Sequence, residues 1–139
     1  LLRLFGAKIG KNVVIRPSVK ITYPWKLTLG DYAWVGDDAV LYTLGEITIG
    51  ANSVVSQKCY LCTGSHDFMS PHFDITASPV VIGEKCWLAT DVFVAPGVSV
   101  GDGTVVGARS SVFKSLPANK ICRGNPAVVI RERVETEKL

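Results

Sequence analysis

The stretch IGEKCWLATDVFVAPGVSVGDGTVVGARSSVFKSLP, residues 82–117, carries an aliphatic side chain at every sixth position: Ile82, Leu88, Val94, Val100, Val106 and Val112. The same spacing runs back through Ile49, Val55 and Leu61, then Leu29, Val35 and Leu41, then Ile9, Ile15, Ile21 and Leu27. Four residues after each lies a second, mostly small column: Val13, Val19, Ala33, Ala39, Ser53, Cys59, Ser65, Cys86, Val92, Val98, Thr104 and Ser110. A period of six fits neither an amphipathic helix nor a simple alternating strand. It predicts an all-β chain of short strands and tight corners, wound into a parallel β-helix. Three strands of about six residues would make one triangular coil of roughly 18 residues, stacked at the ~4.8 Å strand spacing. The aliphatic column points inward and the small column fills the corner, where a wide side chain would push the turn open. Gly10, Gly30, Gly36, Gly50, Gly83, Gly101 and Gly107 each follow an inward aliphatic. Glycine there tolerates a sharp bend and any positive φ.

The breaks in the period carry as much information as the period itself. Two-residue slips at Leu27–Leu29 and around Glu46–Ile49 read as bulged corners. A larger gap, HDFMSPHFDITASPVV at 66–81, holds both histidines of the chain. An irregular loop of that length in a compact domain is usually functional. One domain is expected over 1–139, with coil over 9–116 interrupted by the loop 66–81. Residues 117–139 would form a C-terminal cap: Pro117 and Pro126 break strands there, and Val128–Lys138 has a charged, helix-compatible character. Such a tail would protect the open edge of the coil.

Composition sets the outer limits. Charged residues make up 19% of 139 and the formal charge is +3, with a mean hydropathy of +0.28. That is too little basic excess for a nucleic-acid binder, though clustered cations could hold an anionic small molecule. No apolar run of about 20 residues and no signal-peptide pattern occurs. The sequence opens Leu1-Leu2 instead of Met, as expected of a chain with a further N-terminal segment, whose membrane or partner role would not be visible. Of the four cysteines, Cys59 and Cys86 fall in the small inward column as compact apolar fillers. Cys62 sits at a corner and Cys122 outside the coil. Cys59-x-x-Cys62 has no second pair to complete a four-sulfur metal site, so structural thiols and a cytoplasmic location are expected.

Taken together, the hexads, TGSHD at 63–67, the loop, the 82–117 stretch and RGNPAVVI at 123–130 resemble the hexapeptide-repeat O-acetyltransferases over nearly the whole chain. The sequence is similar to galactoside and maltose acetyltransferases, and closer still to the colanic-acid biosynthesis subgroup, which carries a similar C-T-G-S-H-D run. The resemblance implies a left-handed coil, against the usual right-handed crossover. It also implies a homotrimer with active sites between subunits, acetyl-CoA as donor, a sugar hydroxyl of bacterial polysaccharide biosynthesis as acceptor, and no metal.

His66 resembles the family's catalytic histidine. A sugar hydroxyl is a poor nucleophile until its proton is removed, and an imidazole can take that proton near neutral pH. Asp67 could orient the ring, or cap a turn at the loop start. His72 reads as a solvated loop residue. On the donor side the resemblance points to Trp87 as a CoA contact, to Ala89, Gly107 and Ala108 as room for the pantetheine arm, and to Lys114 and Arg131 as phosphate contacts. Val128 stands where the family carries Arg or Lys, so phosphate binding falls to Arg123, Arg131 or Arg109. Tyr42, Thr43, Asp37 and Asp38 precede His66 on the coil and could face a cleft, but none is assigned to the acceptor.

Other readings are weaker. A γ-class carbonic anhydrase needs three histidine ligands on zinc, and the chain has two histidines. A non-catalytic scaffold would not need the single long loop. Hexapeptide acyltransferases acting on serine, lipid A or nucleotide-sugar acceptors remain the nearest competitors.

Overall fold

The computed structural model describes residues 1–134. Three parallel sheets run the length of the molecule, each receiving one strand from each of the first five turns of the chain. The first sheet stacks Lys8–Ile9, Leu27–Leu29, Ile47–Ile49, Val80–Ile82 and Ser99–Val100. The second stacks Val14–Ile15, Trp34–Val35, Val54–Val55, Trp87–Leu88, Val105–Val106 and Lys120–Gly124. The third stacks Lys20–Ile21, Val40–Tyr42, Tyr60–Cys62, Phe93–Val94 and Ser111–Val112. This is a triangular parallel β-helix, with each coil hydrogen-bonded only to the coils above and below.

The aliphatic column is the core. Leu29, Val35, Leu41, Ile49, Val55, Leu61, Ile82, Leu88, Val94, Val106 and Val112 are buried, while Ile9, Ile15 and Ile21 of the first coil are half-buried. Burying each such side chain contributes about 1.5–3 kcal/mol. The small column is also inward, and its hydroxyls tie coil to coil. Ser53 Oγ donates to Gly83 O at 2.6 Å and accepts from Cys86 N at 3.0 Å. Thr104 Oγ1 does the same with Pro117 O at 2.5 Å and Lys120 N at 3.1 Å. A buried hydroxyl is tolerated because both of its capacities are used.

Several expectations need correction. The glycines after the inward aliphatics do not have positive φ. They are required by the stacking itself: a Cβ on Gly30 would lie 2.5 Å from Ala51 N, and one on Gly50 2.6 Å from Glu84 N. The left-handed conformation falls two residues later, mostly on non-glycines such as Asn12, Tyr32, Asn52 and Lys85. Nor are the slips bulges. Each lengthens the first strand so that both its ends point inward, as Leu27 with Leu29 and Ile47 with Ile49. Ser65 is exposed, and Thr63, fully buried, takes the inward place.

The C-terminal segment also differs from expectation. Cys122 is fully buried inside Lys120–Gly124, which pairs with Val105–Val106 as part of a sixth coil. Ala127–Glu132 is strand, not helix, and turns back antiparallel on Lys120–Gly124. It covers the last edge of the second sheet. Residues 135–139 of the expected tail lie outside the described residues. No helix of the described residues is long and apolar enough to cross a membrane.

Candidate active site

The gap in the hexads is an excursion from the corner between the third strand of one coil and the first strand of the next. It is not an irregular loop throughout. Gly64–His66 pairs antiparallel with Ile75–Ala77, in the register Gly64–Ala77, Ser65–Thr76 and His66–Ile75. The root of this hairpin is fastened by Thr63. Its Oγ1 donates to Tyr42 O at 2.5 Å and accepts from Gly45 N at 2.8 Å, and its carbonyl accepts from Ser78 N at 2.9 Å. Gly64 lets the Leu44 and Tyr42 side chains close over it, since a Cβ would meet Leu44 Cδ1 at 2.6 Å and Tyr42 Cε2 at 2.7 Å and both would have to shift. The Thr-Gly before the histidine therefore has a packing reason of its own.

At the hairpin's end the chain folds back through a tight tip. Asp67 N donates to Asp74 O at 2.8 Å and Phe73 N to Ser70 O at 3.2 Å, and Phe73 adopts φ +50°. The Phe73 carbonyl lies 2.7 Å from His66 Nδ1. A carbonyl only accepts, so the hydrogen of the neutral ring sits on Nδ1 and Nε2 keeps its lone pair. The orienting group is thus a backbone carbonyl seven residues on. The Asp67 carboxylate instead accepts from Met69 N at 3.0 Å, the turn-capping alternative. His72 is exposed on the tip.

His66 stands at the rim of a cavity of about 320 Å³. Tyr42, Leu44, Tyr60 and Cys62 wall it on the coil side, and Ser65 and Ile75 on the hairpin side. The Tyr42 and Tyr60 rings lie 6.3 Å apart at 47°, and the stripe continues to Phe93 and Phe113, each step 6.0 Å. Partial burial, with smaller contributions from Cys62 and Tyr42, raises the Tyr60 phenol above its ordinary pKa. Tyr60 therefore remains a hydrogen-bond donor. The sequence reading missed Phe73, Tyr60 and Leu44. The available signal was an outward aromatic just before the inward aliphatic in successive third strands, Tyr60 before Leu61 and Phe93 before Val94.

The expected donor-side residues gather elsewhere. Ala89, Gly107 and Arg123 stack on the corner between the second and third strands, with Ala89 N bonded to Val106 O and Gly107 N to Cys122 O, both near 2.9 Å. A Cβ on Gly107 would lie 3.1 Å from Arg123 Cβ, and Ala108 is exposed beside them. Trp87 is outward on the adjoining second sheet, half-exposed, its Nε1 donating to Ser56 Oγ at 2.9 Å. Arg131 is exposed opposite Ile121. Lys114 lies apart from these, exposed on the corner that carries the hairpin. Arg109 faces Asp91 at 3.8 Å. Within one chain, the third sheet separates His66 from the Ala89–Gly107–Arg123 corner.

Comparison with known proteins places this architecture. Residues 79–114 match the model of the bacterial transferase hexapeptide family (six repeats). Over 137 residues the chain is 88% identical to the colanic acid biosynthesis acetyltransferase WcaF of Escherichia coli K12, covering 99% of this chain and 75% of that protein. The chain is a hexapeptide-repeat acetyltransferase. Among solved structures, this acetyltransferase superposes on a galactoside acetyltransferase in complex with coenzyme A with a TM-score of 0.91 at 27% identity, covering 96% of this chain and 68% of that one. A maltose O-acetyltransferase from Clostridium difficile 630 gives 0.90 at 27%, covering 96% and 73%. The acetyltransferase shares with both the fold of a parallel β-solenoid.

Proposed function

We propose that this protein transfers an acetyl group from acetyl-CoA to a sugar hydroxyl during bacterial polysaccharide biosynthesis, with His66 as general base. The observation that carries the proposal is the contact of Phe73 O with Nδ1, which leaves Nε2 of the neutral ring its lone pair on a residue that lines the tyrosine-walled cavity. His66 Nε2 takes the proton of the acceptor hydroxyl as its oxygen bonds to the thioester carbonyl carbon. The same ring passes that proton to the CoA sulfur as the carbon–sulfur bond breaks. A positioned base contributes about 10²–10⁴-fold. Asp67 shapes the turn that presents Phe73 and is a positioning residue.

The residues at hand suit the donor. The corner at Ala89, Gly107 and Ala108 carries only small residues beside which a pantetheine arm could lie, Trp87 offers a half-exposed apolar ring, and Arg123, Arg131 and Lys114 are exposed cations for phosphates. Ala89, Gly107, Ala108 and Arg123 lie on a different corner of the prism from His66, whose corner carries Lys114. That separation supports a homotrimer in which one subunit's hairpin meets the donor corner of its neighbour. The four free cysteines fit a cytoplasmic reaction.

The test is thiol release from acetyl-CoA with a panel of sugars, for wild type and His66→Ala. Turnover on a sugar that falls at least about a hundredfold in the variant, with CoA binding retained, is the expected result. A wild-type protein that does not bind CoA would overturn it.

A further inference from the structure

We infer that the first coil is a membrane-docking end of the prism, fitted to the headgroups of an anionic lipid bilayer. The distribution of charge along the chain is the first observation. Residues 1–30 hold six cations, Arg3, Lys8, Lys11, Arg16, Lys20 and Lys26, and no carboxylate. Residues 31–139 hold nine cations and twelve carboxylates, a net charge of −3. The whole positive excess therefore sits at one end of a chain whose remainder is negative. Lys8 and Lys20 are the outward residues of the first and third strands of that coil. Lys11 and Arg16 lie at two of its corners, and Arg3 and Lys26 flank the third. Arg16 is paired with Asp37 at 3.1 Å, whereas Arg3 donates to Ile9 O and Gly10 O and Lys26 to Leu44 O. The ammonium groups of Lys8, Lys11 and Lys20 make no ion pair among the described residues. Because the cations surround the end of the prism instead of lining a groove, the matching partner is a broad anionic surface, not a pocket-sized anion.

The second observation is apolar and belongs to the same coil. Leu4 is 81% exposed, Phe5 56% and Trp25 57%. They form one patch, since the turn Arg3–Phe5 packs on the turn Pro24–Lys26: a Cβ on Gly6 would lie 2.9 Å from Trp25 Cβ. Trp25 stacks on Tyr23 at 4.9 Å, and Lys26 Nζ stands 5.8 Å from the Tyr23 ring. Exposed apolar groups that adjoin one another mark an interaction surface. An indole and a phenol beside lysines match the headgroup level of a bilayer, where one end of each ring is wet and the other apolar. The backbone limits the depth of contact. Lys8–Ile9, Val14–Ile15 and Lys20–Ile21 are each the last strand of their sheet, so one edge of each has no strand partner. Such an edge cannot enter hydrocarbon. The end rests among hydrated headgroups, with Leu4, Phe5 and Trp25 reaching the acyl boundary.

The experiment is flotation of the full chain with vesicles of phosphatidylcholine alone, and of phosphatidylcholine with about one third phosphatidylglycerol. The variants are Lys8→Gln with Lys20→Gln, Trp25→Ala, and Trp25→Phe. Lys58→Gln with Lys85→Gln removes the same charge from exposed positions on later coils. Wild type is expected to float with the anionic vesicles only, and to be released as salt rises from about 0.1 M to about 0.5 M. The Lys8 and Lys20 pair should bind roughly 25-fold more weakly, about fivefold per lysine, with a thermal midpoint within about 4 °C of wild type. The Lys58 and Lys85 pair should stay within about twofold. Trp25→Ala should weaken binding roughly tenfold, and Trp25→Phe should restore most of it. Tryptophan emission should shift to the blue when anionic vesicles are added to wild type. Trp25→Phe, which keeps Trp34 and Trp87, should bind without that shift. Wild type that fails to float overturns the inference, as does equal weakening in the two lysine pairs, which would show an effect of net charge alone. Sedimentation velocity reads the rival occupant: an oligomer lost in Trp25→Ala, without lipid binding by wild type, assigns the patch to a second copy and overturns the inference.

Discussion

Two corners of the same prism obey opposite rules. Between the second and third strands, every inward aliphatic is followed six residues later by the next: Ile15 to Ile21, Val35 to Leu41, Val55 to Leu61, Leu88 to Val94, Val106 to Val112. Between the third strand and the first strand of the next coil, the spacing varies in almost every turn. There the chain inserts the short turn Pro24–Lys26, then Leu44–Glu46, then the whole hairpin between Thr63 and Pro79. The constant corner is closed by backbone contact, as at Gly36, whose Cβ would lie 2.7 Å from Gln57 N. The variable corner is held by side-chain hydroxyls: Thr43 Oγ1 bonds Tyr23 N and O, and Thr63 Oγ1 bonds Tyr42 O and Gly45 N. A hydroxyl clamp fixes the ends of an insertion while leaving its length free. Insertions can therefore grow at one corner without disturbing the stack.

The sharpest way to break this comparison is to remove the hairpin. Gly64 and Ala77 are cross-strand partners, so replacing residues 65–76 by Asn-Gly should close as a tight turn. Acetyl transfer should fall by about 10²–10⁴-fold, as expected of losing the base. The thermal midpoint should move by less than about 4 °C if the corner is as independent as its clamp implies. A collapse of the midpoint would show that the hairpin supports the coil. Leu61→Ala tests the opposite element, a fully buried rung of the core. It should cost about 2–5 kcal/mol in urea unfolding, and the transition should remain cooperative.

A pH experiment sharpens the constant corner. Cys59 is fully enclosed there, its Sγ 3.1 Å from Ala89 O. Burial pushes its thiol from the ordinary 9.0 up to about 11. The folded state then holds a proton that the unfolded state releases, so this contribution is intact below pH 9 and lost as pH rises through 11. It amounts to about 2–3 kcal/mol. Unfolding at pH 8 and at pH 10.5 should show a steeper loss in wild type than in Cys59→Ala. The smallest effect expected is a matched pair of glycine substitutions. Gly36→Ala drives a Cβ into backbone and should cost about 1–3 kcal/mol. Gly45→Ala at the variable corner meets nothing nearer than 3.4 Å and should stay within about 0.5 kcal/mol.

Much of this architecture was legible in the hexads because each rung contributes one residue type at one position, and the core of a solenoid is a local property repeated. The aliphatic column, the small column and the position of the main interruption all follow from that repetition. The reason for the glycines was not legible. Whether Gly30 serves a positive φ or a close backbone approach depends on Ala51 in the next coil, 2.5 Å from its would-be Cβ. Val128–Lys138 read as helix-compatible because its charges suit either structure. Pairing of Ala127–Glu132 with Lys120–Gly124 decided it as strand.

The candidate site divides the same way. His66 stood out from the sequence alone, since a histidine at the edge of the one long gap is a local signal and resembles a known pattern. Which of its ring nitrogens is engaged did not, because that depends on the Phe73 carbonyl closing back at 2.7 Å through the tip of a hairpin. The cavity was invisible for a further reason: Tyr42 and Tyr60 become neighbours only when one coil is laid on the next. Sequence by itself determined the coil, its core and the place of His66 at the main interruption, because periodic burial and a break in it are written along the chain. Which lone pair is free, which rings form the wall and which corners are kept apart were decided only by stacking, because those relations join residues a full coil away.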